Sequence, residues 1–232
     1  MARSSGGKIV TDGLVLALDA GNEKSYPGTG TTWSDLSGNG TDGTLVNGVG
    51  YNSGNGGSLT FDGSNDYVSI PYNSNSMDFS LAQTICMWLK PTTGATSARR
   101  NPYNQAYGGS GTLTHEPGGV INYYFGTNGG NAQPYVGIGS GFTLSENETA
   151  FITVTRNQNT NVCQWYKNAV LYTNTTAGGY ATVTNSTTSI WIGDGYVSGF
   201  LGNIYNVFLY NRYMTTDEVA QNFNATRSRF GI

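Results

Sequence analysis

Short runs of aliphatic, aromatic and β-branched residues recur along this chain, each bounded by clusters of Gly, Asn, Ser and Thr. They fall at 14–18, 67–70, 84–90, 120–125, 151–156, 162–167, 189–193 and 203–210, and their length and turn-rich borders predict strands. Several alternate with period two. In Asn203-Ile-Tyr-Asn-Val-Phe208, Ile204 and Phe208 would share one face and Tyr205 and Val207 the other, as on a strand lying in a sheet. The pattern predicts an all-β fold of two stacked antiparallel sheets.

Only one helix is well signalled. Thr215 and Glu218 have the spacing of a capping box, Met214 and Val219 occupy the staple positions around it, and Phe223 follows Val219 by four residues on the same face. The expectation is a short C-terminal amphipathic helix starting near Thr215, strapped onto the sandwich, with fewer than about one residue in ten helical.

Composition narrows the partners. The chain has 232 residues, 34 Gly, 16 Tyr, 11% charged residues and a net charge of −3. That is one undivided β domain's worth of material. A nucleic-acid binder would carry clustered Lys and Arg, whereas Arg99-Arg100 and the Arg227, Arg229 pair read as surface or subunit contacts. No stretch is apolar for long enough to span a membrane, and the polar N-terminus with the short run 14–18 does not form a secretory signal. The Asn-x-Ser/Thr sequences at Asn39, Asn147, Asn174, Asn185 and Asn224 are therefore discounted as glycosylation sites. Cys86 and Cys163, each two residues from a Trp inside a predicted strand, read as buried small hydrophobes rather than a disulfide.

The segment from Arg99 to Gly141 departs most from a minimal sandwich and reads as a long recognition loop over 99–135. Planar aromatics beside amide side chains are what a sugar site requires, because pyranose CH faces stack on rings while hydroxyls bond to Asn and Gln. Tyr103, Asn104, Tyr107, His115, Tyr124, Asn131, Gln133 and Tyr135 are the candidates, with Tyr103 and Tyr107 as exposed anchors. Gly- and Tyr-rich surfaces also make subunit interfaces, so a glycan and a neighbouring chain, including a second copy, are both open as partners.

Trp33-Ser-Asp-Leu-Ser-Gly-Asn-Gly-Thr-Asp-Gly-Thr-Leu45, Phe61-Asp-Gly-Ser-Asn-Asp-Tyr-Val68, Thr84-Ile-Cys-Met-Trp-Leu-Lys-Pro91 and Ile204-Tyr-Asn-Val-Phe-Leu-Tyr-Asn-Arg212 resemble, in order, signature segments of the laminin-G-like, concanavalin-A-like jelly roll. The resemblance runs from about residue 13 to the C-terminus. It implies an N-terminal arm at 1–12 and one jelly-roll domain at 13–232. Further stretches, at 14–22, 101–109, 192–196 and 222–232, resemble laminin-G-like virion structural proteins of marine bacteriophages and cyanophages. That resemblance implies a capsid-decoration or fibre-associated protein, made in the bacterial cytoplasm and located on the virion, with other virion proteins and host-surface polysaccharide as partners. A free lectin is the second reading and a glycoside hydrolase the third, since the scaffold hosts all three.

Related domains often hold calcium between the N-terminal loops and the last strand. The resemblance places candidate ligands at Asp19 and Asp35, although Tyr205 stands where the family has an acidic residue, and Asp in such loops also makes ordinary Asx-turns. A catalytic reading fares badly. A retaining glycosidase needs two carboxylates about 5 Å apart, usually two or three on one strand. Here Glu146 and Glu148 fall in a polar turn, and the lone His115, followed by Glu116-Pro117, is no zinc helix. The expectation is a non-enzymatic binding or structural module.

Overall fold

The structure is a computed structural model that describes residues 7–176 and 183–232; residues 1–6 of the arm lie outside the described residues. Strands run β1 (Leu14–Asp19), β2 (Thr32–Trp33), β3 (Gly43–Val46), β4 (Gly50–Asn52), β5 (Ser58–Asp62) and β6 (Tyr67–Ile70). Then come β7 (Ala82–Pro91), β8 (Arg100–Ala106), β9 (Gly111–His115), β10 (Val120–Gly126), β11 (Tyr135–Thr143) and β12 (Ala150–Asn157). The chain continues through β13 (Val162–Lys167), β14 (Val170–Thr176), β15 (Ile190–Ile192), β16 (Ser198–Gly199), β17 (Leu201–Tyr210) and α1 (Thr216–Thr226).

These form two stacked sheets. Sheet A has the order β14-β13-β12-β7-β17-β5-β4, with β1 also paired to β17; sheet B has the order β11-β10-β9-β8-β15-β6-β3-β2, with β16 on β8. All pairs are antiparallel except the two-residue β16 on β8. The strands expected from alternation are present, with β6 and β13 matching residue for residue.

The central strands of sheet A are buried on both faces, which explains why β7 and β17 read as nearly continuous apolar runs. On β7, Ile85, Met87 and Leu89 point into the sandwich, while Cys86 and Trp88 belong to a second cluster outside it. A bulge near Tyr205 on β17 leaves Ile204, Val207 and Leu209 inside but puts Tyr205, Phe208 and Tyr210 outside. α1 covers that outer face with Val219 and Phe223. Trp88 stacks on Phe230 at 4.0 Å, and its Nε1 donates to Thr226 Oγ1 at 2.7 Å. The arm is tied to the same helix, with Val10 N donating to Asn222 Oδ1 at 2.8 Å. Because Cys86 and Cys163 face opposite sides of sheet A they do not meet; both are free and buried, and burial pushes each thiol up to about 12.

The free edge of β1 is sealed by a signature segment. β1 pairs only with β17, and its other edge is covered by the loop after Trp33. Asp35 Oδ1 accepts from Ala17 N at 2.9 Å, Leu36 N donates to Ala17 O at 2.8 Å, and Asn39 Nδ2 donates to Val15 O at 3.1 Å. The loop satisfies backbone groups that would otherwise template pairing with another chain.

The helix start is the capping box expected from Thr215 and Glu218. Glu218 also takes Arg212 at 2.6 Å. The Arg212 guanidinium and the Thr215 N–H hold the Glu218 carboxyl at about 2. A carboxyl depressed in the folded state stabilises above its unfolded value, and that contribution is lost as pH falls toward its folded value. Glu218→Gln should therefore cost about 1 kcal/mol at pH 7, in the range of a lost cap and partly exposed ion pair. Urea titrations should show the gap from the wild type closing as pH falls from about 4.5 to about 2.

Candidate functional site

With one face of sheet A covered by α1, the outer face of sheet B is the broad surface left open. Its register aligns one row of residues across six strands. Tyr124 on β10 lies opposite Gly137 on β11 and Thr112 on β9. Thr112 lies opposite Asn104 on β8, Asn104 opposite Trp191 on β15, and Trp191 opposite Ser69 on β6. Directly paired residues share a face. Thr112 Oγ1 accordingly donates to Asn104 Oδ1 at 2.7 Å. A Cβ on Gly137 would meet the Tyr124 ring at 2.6 Å, so glycine there lets the ring lie across β11.

Aromatic rings cap both ends of the row. Trp191 stacks on Tyr67 with centroids 4.6 Å apart. At the other end Tyr107 contacts Tyr196 at 4.4 Å and Tyr135 at 5.1 Å, and Tyr124 contacts Tyr135 at 5.8 Å. The Arg99 guanidinium lies 4.8 Å from the Tyr124 ring centre and 5.3 Å from that of Tyr196. Its charge is matched by Glu116 at 2.9 Å. Burial, ahead of the neighbouring charges, raises the Tyr196 hydroxyl well above the ordinary phenol range.

The loop after β15 brings Tyr196 over the sheet. Gly193 turns at φ +92°, where a Cβ would run into the Phe61 ring, and its N–H donates to Pro102 O at 3.0 Å. Buried Asn101 then anchors the loop, accepting from Val197 N at 2.9 Å while donating to Leu113 O at 2.9 Å. Between Trp191 and Tyr196 lies an open groove of about 540 Å³, lined among others by Asn104, Gln105, Asn131 and Thr188. That is the size range of small-ligand sites.

The structure divides the expected site residues. Tyr107, Tyr124 and Tyr135 join the aromatic cluster, and Asn104 and Asn131 line the groove. Tyr103 does not reach the surface. It is fully buried between the sheets, where its hydroxyl accepts from Gln83 Nε2 at 3.3 Å. His115 is fully buried as well, its Nε2 bonded to Leu144 O at 2.9 Å, and burial lowers its basicity. Gln133 is exposed ahead of Pro134, and no contact ties it to the groove. Nor is 99–135 a loop: β8, β9 and β10 all lie inside it. Sequence reasoning missed Trp191, Tyr196, Gln105 and Arg99 as members of the site. The Trp191 signal was present, since an indole between Ile190 and Ile192 on a short strand must face away from the core.

Other candidates are structural. Arg99 and Arg100 make intramolecular contacts, Arg100 to Ala95 O and Gly199 O, each at 3.0 Å. Arg229 donates to Asp19 Oδ1 at 2.6 Å and to Gly57 O at 2.9 Å, and a Cβ on Gly21 would meet its guanidinium at 2.2 Å. Asp35 spends both oxygens on Ala17 N, Ser37 and Thr41 N. Asp19 Oδ1 and both Asp35 oxygens, the candidate calcium ligands, are thus engaged by protein donors, and among the described residues no three His, Cys, Asp or Glu cluster as metal ligands. Glu146 bonds Thr96, and Glu148 pairs with Lys167. Among the described residues no helix is long and apolar enough to cross a membrane.

Residues 62–220 match the concanavalin A-like lectin/glucanases superfamily, and the chain belongs to it. No curated protein matches the sequence. Among solved structures, the binding domain of Paraclostridial Mosquitocidal Protein 1 is similar at 20% identity and TM-score 0.72, over 93% of this chain and 52% of that one. The receptor binding domain of botulinum neurotoxin C/D mosaic serotype is similar at 16% identity and TM-score 0.72, over 92% and 51%. The serotype D ligand binding domain, solved with N-acetylneuraminic acid, gives 16% identity and TM-score 0.71, over 92% and 51%. These likenesses show the fold, and this chain spans about half the length of each of those proteins.

Three outcomes are expected. Tyr103→Ala should cost about 3 to 5 kcal/mol in chemical denaturation, the range for emptying a core aromatic site, while exposed Tyr135→Ala costs less than about 1. Millimolar calcium or EDTA should leave the melting temperature unchanged, because a ligand stabilises only through a site it occupies. Arg229→Ala should lower that temperature.

Proposed function

We propose that this chain is a non-enzymatic glycan-binding module and that the outer face of sheet B is its binding face. The observation that supports it is the aromatic–amide row: stacking surfaces at Trp191 and Tyr196 flank hydrogen-bonding amides at Asn104 and Asn131. This is the combination that sugar rings require. Similar folds solved as toxin binding domains are consistent with a binding role, among them botulinum neurotoxin type C, whose cell entry depends on interaction with two ganglioside molecules.

The same face speaks against hydrolysis. A retaining site needs an acid and a nucleophile about 5 Å apart. The carboxylate built into the aromatic patch is Glu116, and Arg99, Thr114 and Asn122 all occupy its Oε1. We further propose that the module is displayed on a bacteriophage virion, as decoration or fibre-associated protein. The resemblance of its sequence to virion structural proteins supports this, and host-surface polysaccharide is then the ligand. A free lectin would have the same face without particle association.

Incubated with host envelope polysaccharide, the protein should bind and release no reducing sugar above buffer. Tyr196→Ala should weaken that binding by about 1 to 4 kcal/mol, as for an aromatic anchor, with the melting temperature nearly unchanged. Turnover abolished by Glu116→Gln would overturn the non-enzymatic reading. Failure to co-sediment with purified particles would overturn the virion one.

A further inference from the structure

Given that the outer face of sheet B is a glycan site, the groove between Trp191 and Tyr196 carries a charge and hydrogen-bond inventory that selects among glycans. Among the described residues no acidic or basic side chain lines it. Arg99, beside the ring of the lining residue Tyr196, is already paired with Glu116 at 2.9 Å. The charge adjoining the groove is instead negative: Asp194 precedes the lining residue Gly195, whose N–H it accepts at 2.8 Å. A carboxylated sugar entering here would lose hydration and find no free cation to replace it.

The polar groups left over are of both kinds. Asn104 uses its Oδ1 on Thr112, and Asn131 uses its Oδ1 on Tyr107 N, leaving both Nδ2 groups as donors without partners among the described residues. Gln105 is 1% exposed; its Nε2 donates to Ser186 O at 3.1 Å and Thr188 O at 3.3 Å, which fixes the amide's orientation, while its Oε1 has no partner. A buried acceptor without a donor is costly unless a ligand supplies one. Hydroxyl groups both accept and donate, so they fit all three amides. A carboxylate only accepts and cannot serve Gln105.

We propose that this groove binds a neutral pyranose of a polysaccharide, stacked on Trp191 with its hydroxyls bonded to Asn104, Asn131 and Gln105, and that it discriminates against uronic and sialic acids. The wild-type protein is titrated calorimetrically with neutral probes (dextran, mannan, agarose oligosaccharides and chitin oligosaccharides) and anionic ones (alginate and polysialic acid). At least one neutral probe should bind, with affinity changing less than about twofold between about 50 mM and about 500 mM NaCl, because no charge pair is being screened. Trp191→Ala should weaken it at least about tenfold, roughly 1.4 kcal/mol. Trp191→Phe should restore most of the loss, which separates stacking from misfolding. Binding confined to alginate or polysialic acid and falling with salt would overturn the neutral assignment and leave the glycan reading standing. Binding of a neutral probe that Trp191→Ala does not weaken would overturn the groove. No binding to any probe in either set would overturn both this proposal and the reading on which it rests.

Discussion

The pairing of β17 with three partners at once is the constraint on which the rest of the molecule depends. Along one edge β17 runs the length of β7; along the other it takes β5 through residues 201–204 and β1 through residues 206–210. The first strand, the middle of the chain and the last strand are therefore joined on one ladder. A ladder of such long sequence separation is entropically expensive to close and holds only when heavily buried. Sheet A supplies that burial by packing both faces, the inner against sheet B and the outer against α1 with its Trp88–Phe230 stack.

That solution decides where a ligand can sit. A helix lying across Trp88, Tyr205 and Phe208 removes the centre of sheet A's outer face from solvent. The loop after Trp33 removes the free edge of β1. Sheet B's outer face remains, and its strands carry Asn, Thr and Tyr where those of sheet A carry aliphatics. β8 shows how such a strand survives: Asn101, Asn104 and Gln105 are buried, yet each makes hydrogen bonds that offset the cost of taking an amide from water. The polar satisfaction that lets this strand fold also fixes the amides in the orientation the groove presents.

The legibility of the sequence follows hydrophobic patterning rather than the division into sheets. β1, β7, β12, β13 and β17 of sheet A and β6, β10 and β15 of sheet B were read from it, as was the capping box, while β4, β5 and β14 went unread. β8 also went unread, because Arg-Asn-Pro-Tyr-Asn-Gln-Ala has the turn residues Asn and Pro in a strand interior, with Pro102 lodged at a register shift. Taking that segment for a loop made Tyr103 look exposed, when period two on a strand sends it inward to Gln83. Tyr107, Tyr124, Tyr135, Asn104 and Asn131 were grouped by composition, and the structure places them around one aromatic cluster and its adjoining groove. Trp191 and Tyr196 were not, since they lie about sixty residues or more downstream of that group in sequence and join it only through the pairing of β15 with β8.

The most recognisable segments turn out to be those with the least to say about a ligand. Asp35, Ser37 and Asn39 cover an edge, Asp62 and Asp66 cap backbone N–H groups of their own turn, and Arg212 with Glu218 starts a helix. Such residues answer to the fold's own accounting of backbone donors and acceptors, a demand that any sandwich of this topology must meet whatever it binds. Specificity is left to positions the fold does not need to fix: the residue between two core isoleucines at 191, and the ring that a loop anchored by Asn101 holds over β8. On the reading proposed above, changing those two positions would alter the ligand while leaving the ladder untouched, and for that reason a superfamily match establishes the scaffold alone.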